Sequence, residues 1–329
     1  MSKRSKRRLA GKQKAAVRQD KASENEDSKP VRKAKKGLWR HIYEDQYKIL
    51  LLIPMLMLLA GIIQIGAQYA TTGDIMQKDV SLKGGMTVTV PVAQGTDISA
   101  IESALQAAFP EAGVSVRTIS SLGESVGLII DADITHDYRK AFVTQVEATT
   151  GVAQGQFSVE EIGSSLGDSF FRQAAIALLI AFVFMGLVVF LYFKSFVPSM
   201  AVILAAFSDI VVTLAIVNIL GIKVSTAGIA AFLMLIGYSV DTDILLSTRM
   251  LKRTEGTLLQ RMYDAIKTGL TLNFTTLVAV IIGMVVSKSE VLIQIFTIIF
   301  IGLLVDMVNT WIQNVGIIRL YLEKKNGKD

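Results

Sequence analysis

The sequence predicts a helical membrane bundle of six spans, with one α+β domain of βαββαβ order inserted between the first and the second. Three observations predict it. Six apolar stretches are each long enough to cross a bilayer, which takes about 20 residues. The insert, residues 68–172, is polar and alternates strand-like and helix-like periods. The basic residues gather on one side of the spans. The whole-chain averages, 51% hydrophobic residues and a mean hydropathy of +0.48 over 329 residues, hide that division.

The elements follow in order. Residues 1–48 carry 16 of the 34 Lys+Arg, mixed with Ser, Glu and Gln. This composition predicts a disordered basic arm. Its plain role is topology and attraction to anionic lipid; ribosome contact is the sharper alternative. Trp39, His41 and Tyr43 mark an interfacial stretch ahead of the first span, Ile49–Ala67. In the insert, Met86–Val92, Val114–Ile119, Val126–Ile130 and Gln156–Ile162 read as strands, with a turn at Gly123. Asp97–Phe109 repeats its apolar residues at helical spacing, with Thr96 as N-cap, and Thr135 caps a second helix running to Val146. This order is the split pattern of a ferredoxin-like sandwich. Asp131, Asp133, His136 and Asp137 read as a solvated strand-to-helix link. The remaining spans, within 173–321, are Gln173–Phe193, Val197–Leu220, Thr226–Ser247, Thr268–Val286 and Val291–Tyr321, before a tail at 322–329.

Charge orients the bundle. The arm, Lys194, the loop with Arg249, Lys252, Arg253, Arg261 and Lys267, and the tail with Lys324, Lys325 and Lys328 fall on one side. The other side holds Lys223, Lys288 and the insert, where residues 68–171 carry 13 acids against 5 bases. Both termini are therefore expected in the cytoplasm and the insert outside. The composition excludes several classes. There is no Cys, and the two His, His41 and His136, make a His-based metal site untenable. No nucleophile–base pair and no Walker loop is present, so neither an enzyme nor a cofactor is expected. The net charge of +6 sits beside spans, so it does not signal nucleic acid.

The informative residues are carboxylates where lipid is expected: Asp209 in the third span, Asp241 and Asp243 in the fourth, Asp306 in the sixth. Each costs at least about 2.5 kcal/mol at a span centre, so each must face protein or water. Two residues apart on a helix is a turn of about 200°, so Asp241 and Asp243 cannot share a face. Asp241 lies deeper from the cytoplasmic end and is expected to matter most. Lys267, Asn273 and Asp306 are its expected partners. Asp306, Asn309, Gln313 and Asn314 form a polar stripe. Two readings stand: helix–helix hydrogen bonding, or a proton relay. Gly237, one turn from Asp241, is expected to admit a close neighbour or water.

Three segments carry a resemblance. Asp79-Val-Ser-Leu-Lys-Gly84-Gly85-Met-Thr is similar to the sequence that precedes the first outer-domain strand in the SecD/SecF family. Gly163-Ser-Ser-Leu-Gly167 resembles the family sequence leading into the second span. Gly237-Tyr-Ser-Val-Asp-Thr-Asp, followed by Arg249, resembles the fourth-span signature of the family's SecF branch. The resemblance runs from about residue 45 to residue 322 and implies the resistance–nodulation–division architecture. It implies an auxiliary subunit of protein export, working with SecD beside the Sec translocon on a translocating polypeptide and coupled to the proton gradient. A half-size small-molecule exporter and a non-catalytic translocon scaffold are the alternatives. The departures are informative. The Asn-Asp pair of the bacterial signature falls on Asp241-Thr242, and a bacterial Arg at the start of the fifth span falls on Thr268, beside Lys267. These changes fit an archaeal form.

Overall fold

A computed structural model describes residues 43, 46–91, 96–121, 124–134, 136–153, 155–287 and 289–326. The expectations on most of the arm, including Trp39 and His41, and on Gly123, Thr135, Lys288 and Lys328 lie outside the described residues.

Among the described residues, six helices are long and apolar enough to span a membrane. They are α1 (Tyr47–Thr72), α5 (Ser164–Phe193), α6 (Phe196–Ile219), α7 (Thr226–Leu251), α8 (Leu258–Val286) and α9 (Glu290–Lys325). α6 and α7 are the most enclosed, whereas α1, α5 and α8 leave most of their surface exposed. Several run past the apolar stretch that announces them. α5 starts nine residues before Gln173 and α8 ten before Thr268, because an aqueous helical extension needs no continuous apolar run. The α8 extension begins in a reciprocal cap between Thr257 and Gln260. α9 is α-helical over Glu290–Val308, widens to a π-helix over Asn309–Asn314 and returns to α over Val315–Asn326.

Between α1 and α5 lies a four-stranded sheet in the order β2-β3-β1-β4. Its strands are β1 (Gly85–Val90), β2 (Ser115–Ser121), β3 (Glu124–Ala132) and β4 (Ser158–Ile162). β1 pairs antiparallel with both β3 and β4, and β2 pairs antiparallel with β3. Two helices, α3 (Ile98–Ala108) and α4 (Arg139–Thr150), close one face. Met86, Val88, Leu105, Leu128, Ile130 and Phe142 are buried together there. Alternation explains the set: Val88 lies opposite Ile130, so these two strands present the same face to the helices. The cap of α3 is Asp97, which accepts from Ala100 N at 3.1 Å, and not the expected Thr96.

A one-turn helix, α2 (Val80–Lys83), was invisible in the periodicity. It ends at Gly84 (φ 85°) and Gly85 (φ 122°), values that side chains rarely adopt. A Cβ on Gly84 would lie 2.4 Å from Ser164 Cα, and one on Gly167 2.5 Å from Gly84 N. The chain thus enters and leaves the sheet domain through a glycine-only crossing. The same neck is tied to the α6–α7 loop: Val224 N donates to Gln77 O at 2.7 Å, and Asp79 N donates to Val224 O at 2.9 Å.

Candidate functional site

The enclosed helices α6, α7 and α9, with α8, bring polar side chains together inside the bundle. Asp209, Asp243, Asp306, Asn309, Thr310, Gln313 and Asn314 are each no more than 1% exposed. On α7 the buried positions include Phe232, Leu235, Ser239, Asp243, Leu246 and Met250, a ridge at spacings of three and four. Asp243 belongs to that ridge. Asp241 lies with Met234, Gly237 and Tyr238 on the exposed face.

The cluster is a connected chain. Asp209 accepts from Ser239 Oγ at 2.5 Å and from Asn309 Nδ2 at 2.7 Å. Asp243 Oδ1 accepts from Asn314 Nδ2 at 2.6 Å. Thr310 Oγ1 stands 3.0 Å from Asp243 Oδ1 and 3.0 Å from Asp306 Oδ1. Asn273 Nδ2 reaches Asp306 Oδ2 at 3.3 Å. Among the described residues, no Lys or Arg forms an ion pair with any of the three carboxyl groups. Three ionised carboxylates, each needing several kcal/mol of compensation in such a place, are not sustainable without a cation. Thr310 adds a geometric argument. One hydroxyl has one proton, so full hydrogen bonds to both neighbours require a carboxyl group that donates. The π-helical turn sets this geometry, because its wider turns fan Asn309, Thr310, Gln313 and Asn314 into the core. Trp311 packs against Gly269, where a Cβ would lie 2.2 Å from the indole.

This corrects the expectation for Asp241. It is exposed and lines an open cleft of about 540 Å³ with Tyr192, Tyr238, Thr248, Arg249 and Asn273. Asn273, expected as a partner of Asp241, lines that cleft and donates to Asp306 of the buried cluster. Lys267 is exposed on α8 and makes no ion pair with the carboxylates among the described residues. A Cβ on Gly237 meets nothing within 4 Å, so the expected close neighbour is not supplied by the described residues. Arg249 donates to Asp264 O at 2.8 Å and pins the end of α7 to α8.

A second polar group lies where the sheet meets the bundle, and the sequence reading missed it. Asp131, expected to be solvated, is 2% exposed. It accepts from Arg117 Nη2 at 2.6 Å and Thr87 Oγ1 at 2.9 Å, and Lys223 Nζ is 3.5 Å away. Arg117 also approaches Glu290 at 3.0 Å and Asp79 at 3.6 Å. Burial, then the charge of Asp131, pushes the Asp79 carboxyl above its ordinary range; burial pushes Lys223 down. The legible signal was register: Asp131 lies opposite Thr87 on the face away from the helices.

Comparison with known proteins places this architecture. The family model "Protein export membrane protein SecD/SecF, C-terminal" matches residues 142–324. The SecF protein-export membrane protein of Pyrococcus furiosus is 37% identical over 300 residues, covering 88% of this chain and 95% of the relative. The chain belongs to the SecF family. The SecF of Methanocaldococcus jannaschii is 35% identical over 294 residues, covering 86% of this chain and 98% of its own length. These two SecF relatives thus align along nearly their whole length. A crystal structure of SecDF from Thermus, titled a translocon-associated membrane protein, shares the fold at a TM-score of 0.66 and 20% identity. The match covers 85% of this chain and 38% of that one, so the chain spans little more than a third of the SecDF polypeptide. As a SecF-family chain this is a multi-pass membrane protein with a role in Sec protein export.

Proposed function

We propose that the chain is an auxiliary subunit that works with SecD beside the Sec translocon and promotes forward movement of a translocating polypeptide. It does so in the cytoplasmic membrane, with both termini inside, residues 68–172 outside as a ferredoxin-like domain, and the arm against anionic lipid. The strand order β2-β3-β1-β4 with both helices on one face supports the ferredoxin-like reading. The observation that carries the mechanism is the Asp243–Thr310–Asp306 bridge among buried carboxyl groups that pair with no cation among the described residues. Such a group must hold protons, and gaining or losing one changes the repulsion between α6, α7 and α9. The cluster is therefore the site where a proton gradient acts on the bundle.

Asp241 has a different part. A mid-span carboxylate cannot rest against lipid. Its helix face carries Gly237, open to a close approach. This face supports SecD as the partner that covers it, with a hydrogen-bond donor directed at Asp241. The experiment compares the two positions in membranes containing SecD. Asp243→Asn should leave the complex assembled and abolish stimulation of export, whereas Asp241→Leu should reduce recovery of the SecD complex. Full stimulation by Asp243→Asn at normal protein level removes the relay and leaves the scaffold reading.

A further inference from the structure

Glu290 is the first residue of α9, and α9 runs as continuous α-helix from Glu290 to Val308. Asp306 lies 16 residues further along, a rise of about 24 Å. One rod thus has the carboxylate cluster at its lower end and Arg117 of the sheet at its upper end. Arg117 divides its guanidinium between two bodies. Nη1 holds Glu290 of the rod at 3.0 Å, and Nη2 holds Asp131 of the sheet at 2.6 Å. Arg117 and Glu290 also line one cleft of about 310 Å³, with Ile119 from the sheet and Ile293, Gln294 and Thr297 from the rod. Besides Arg117, the domain is attached by the neck at Gly84 and Val224 and by Lys223, 3.5 Å from Asp131 and next to Val224, so these contacts gather at one place, which is compatible with pivoting.

We infer that Arg117 is a positioning residue for export: through Glu290 it makes the sheet domain follow axial movement of α9, so that the charge state of the intramembrane cluster is read outside the membrane. The inference rests on the relay proposed above. The two-sided grip needs the planar fork of an arginine; a lysine ammonium is a single point charge and cannot hold both carboxylates in fixed directions. Asp131 stays paired with Arg117 when Glu290 is changed, so the joint can be cut without unpairing a buried carboxylate.

The chain has no Cys, so spin labels at Ser103→Cys on α3 and Leu220→Cys after α6 report only the chosen sites. In full-length protein in lipid nanodiscs, Asp306→Asn should shift the distance between the labels by about 2 Å, the scale of helix displacements in switching proteins. Adding Glu290→Gln or Arg117→Lys should abolish that shift, while Glu290→Asp should retain it. The label distance without Asp306→Asn should keep its mean in Glu290→Gln, which shows that the domain is still docked. A shift that persists in Glu290→Gln overturns the inference, as does the absence of any shift in the parent. Loss of export in Asp243→Asn without a label shift would remove the joint and keep the relay. A Glu290-dependent shift with full export in Asp243→Asn would do the reverse.

Discussion

Two glycines, Gly84 and Gly167, show how a motif in the sequence becomes a physical requirement. Both face backbone and not a flexible side chain, so an added methyl has nowhere to go. Gly84→Ala should cost about 1–3 kcal/mol from its positive φ alone, with the clash in addition. The measurement is the thermal midpoint and the membrane level of the variant. Gly237→Ala, by contrast, should leave the chain's own stability unchanged and weaken only its association with SecD. Asp79 gives a pH signature. Its folded-state carboxyl titrates above its ordinary value, so its protonated form favours the fold. That contribution is complete below the unfolded value and is lost as pH rises through the raised one. Asp79→Asn should therefore flatten part of the fall in thermal midpoint as pH rises above about 4. Identical slopes in the two proteins would count against a strained carboxylate at this place. At this scale the sequence was half legible. The 200° between Asp241 and Asp243 follows from helix geometry, but which of them turns inward does not. Both faces of α7 mix apolar and small residues, and the deciding contacts come from Asn314 and Thr310, some 70 positions away.

The helices and strands were the most legible level. Each span has an apolar stretch of the right length, and the strands announced themselves by alternation. Their ends were less so, because caps and aqueous extensions depend on single polar residues. The cap moved from Thr96 to Asp97, and α2 escaped notice because one turn has no period. The π-helical segment of α9 was not legible either: its stripe of Asp306, Asn309, Gln313 and Asn314 fits an ordinary helix equally well. Its consequence is local. Thr310→Val should remove the hydroxyl between Asp243 and Asp306 at nearly constant volume. Export stimulation should then fall by about fivefold or more, the low end of measured coupling energies, at unchanged complex content. Thr310→Ser should restore it.

For the whole molecule, the sheet domain has its own core, centred on Met86, Leu105 and Phe142, separate from the core of the bundle around Val217, Phe232 and Ile298. Residues 80–163 expressed alone should therefore fold as a small α+β unit with a cooperative thermal transition. Arg117 and Thr87 remain available to Asp131 in that fragment; a random-coil circular dichroism spectrum would contradict the expectation. Charge asymmetry makes an equally definite statement about topology. A reporter active only outside the cell should work at residue 130 and fail at residue 257. The order of domain and spans could be read from composition alone, because the bilayer imposes length and charge rules. The seam between them could not, since it joins residues 79, 117, 131, 223 and 290 through chain folding rather than proximity in sequence.

The widened turns at Asn309–Asn314 also bear on how this chain tolerates change in length. An ordinary helix that loses one residue re-aims everything beyond the cut by about 100°. A π segment carries a surplus residue, so removing one there lets the turns close to α while both flanks keep their facing. Deleting Ile312 should thus leave Asp306 in the core, Gly316 against Leu51 and Arg319 over the ring of Tyr47. What disappears is the fan of amides around the carboxylates. The helix can therefore be spliced at this point without being re-phased, which separates the survival of the fold from the survival of its polar centre.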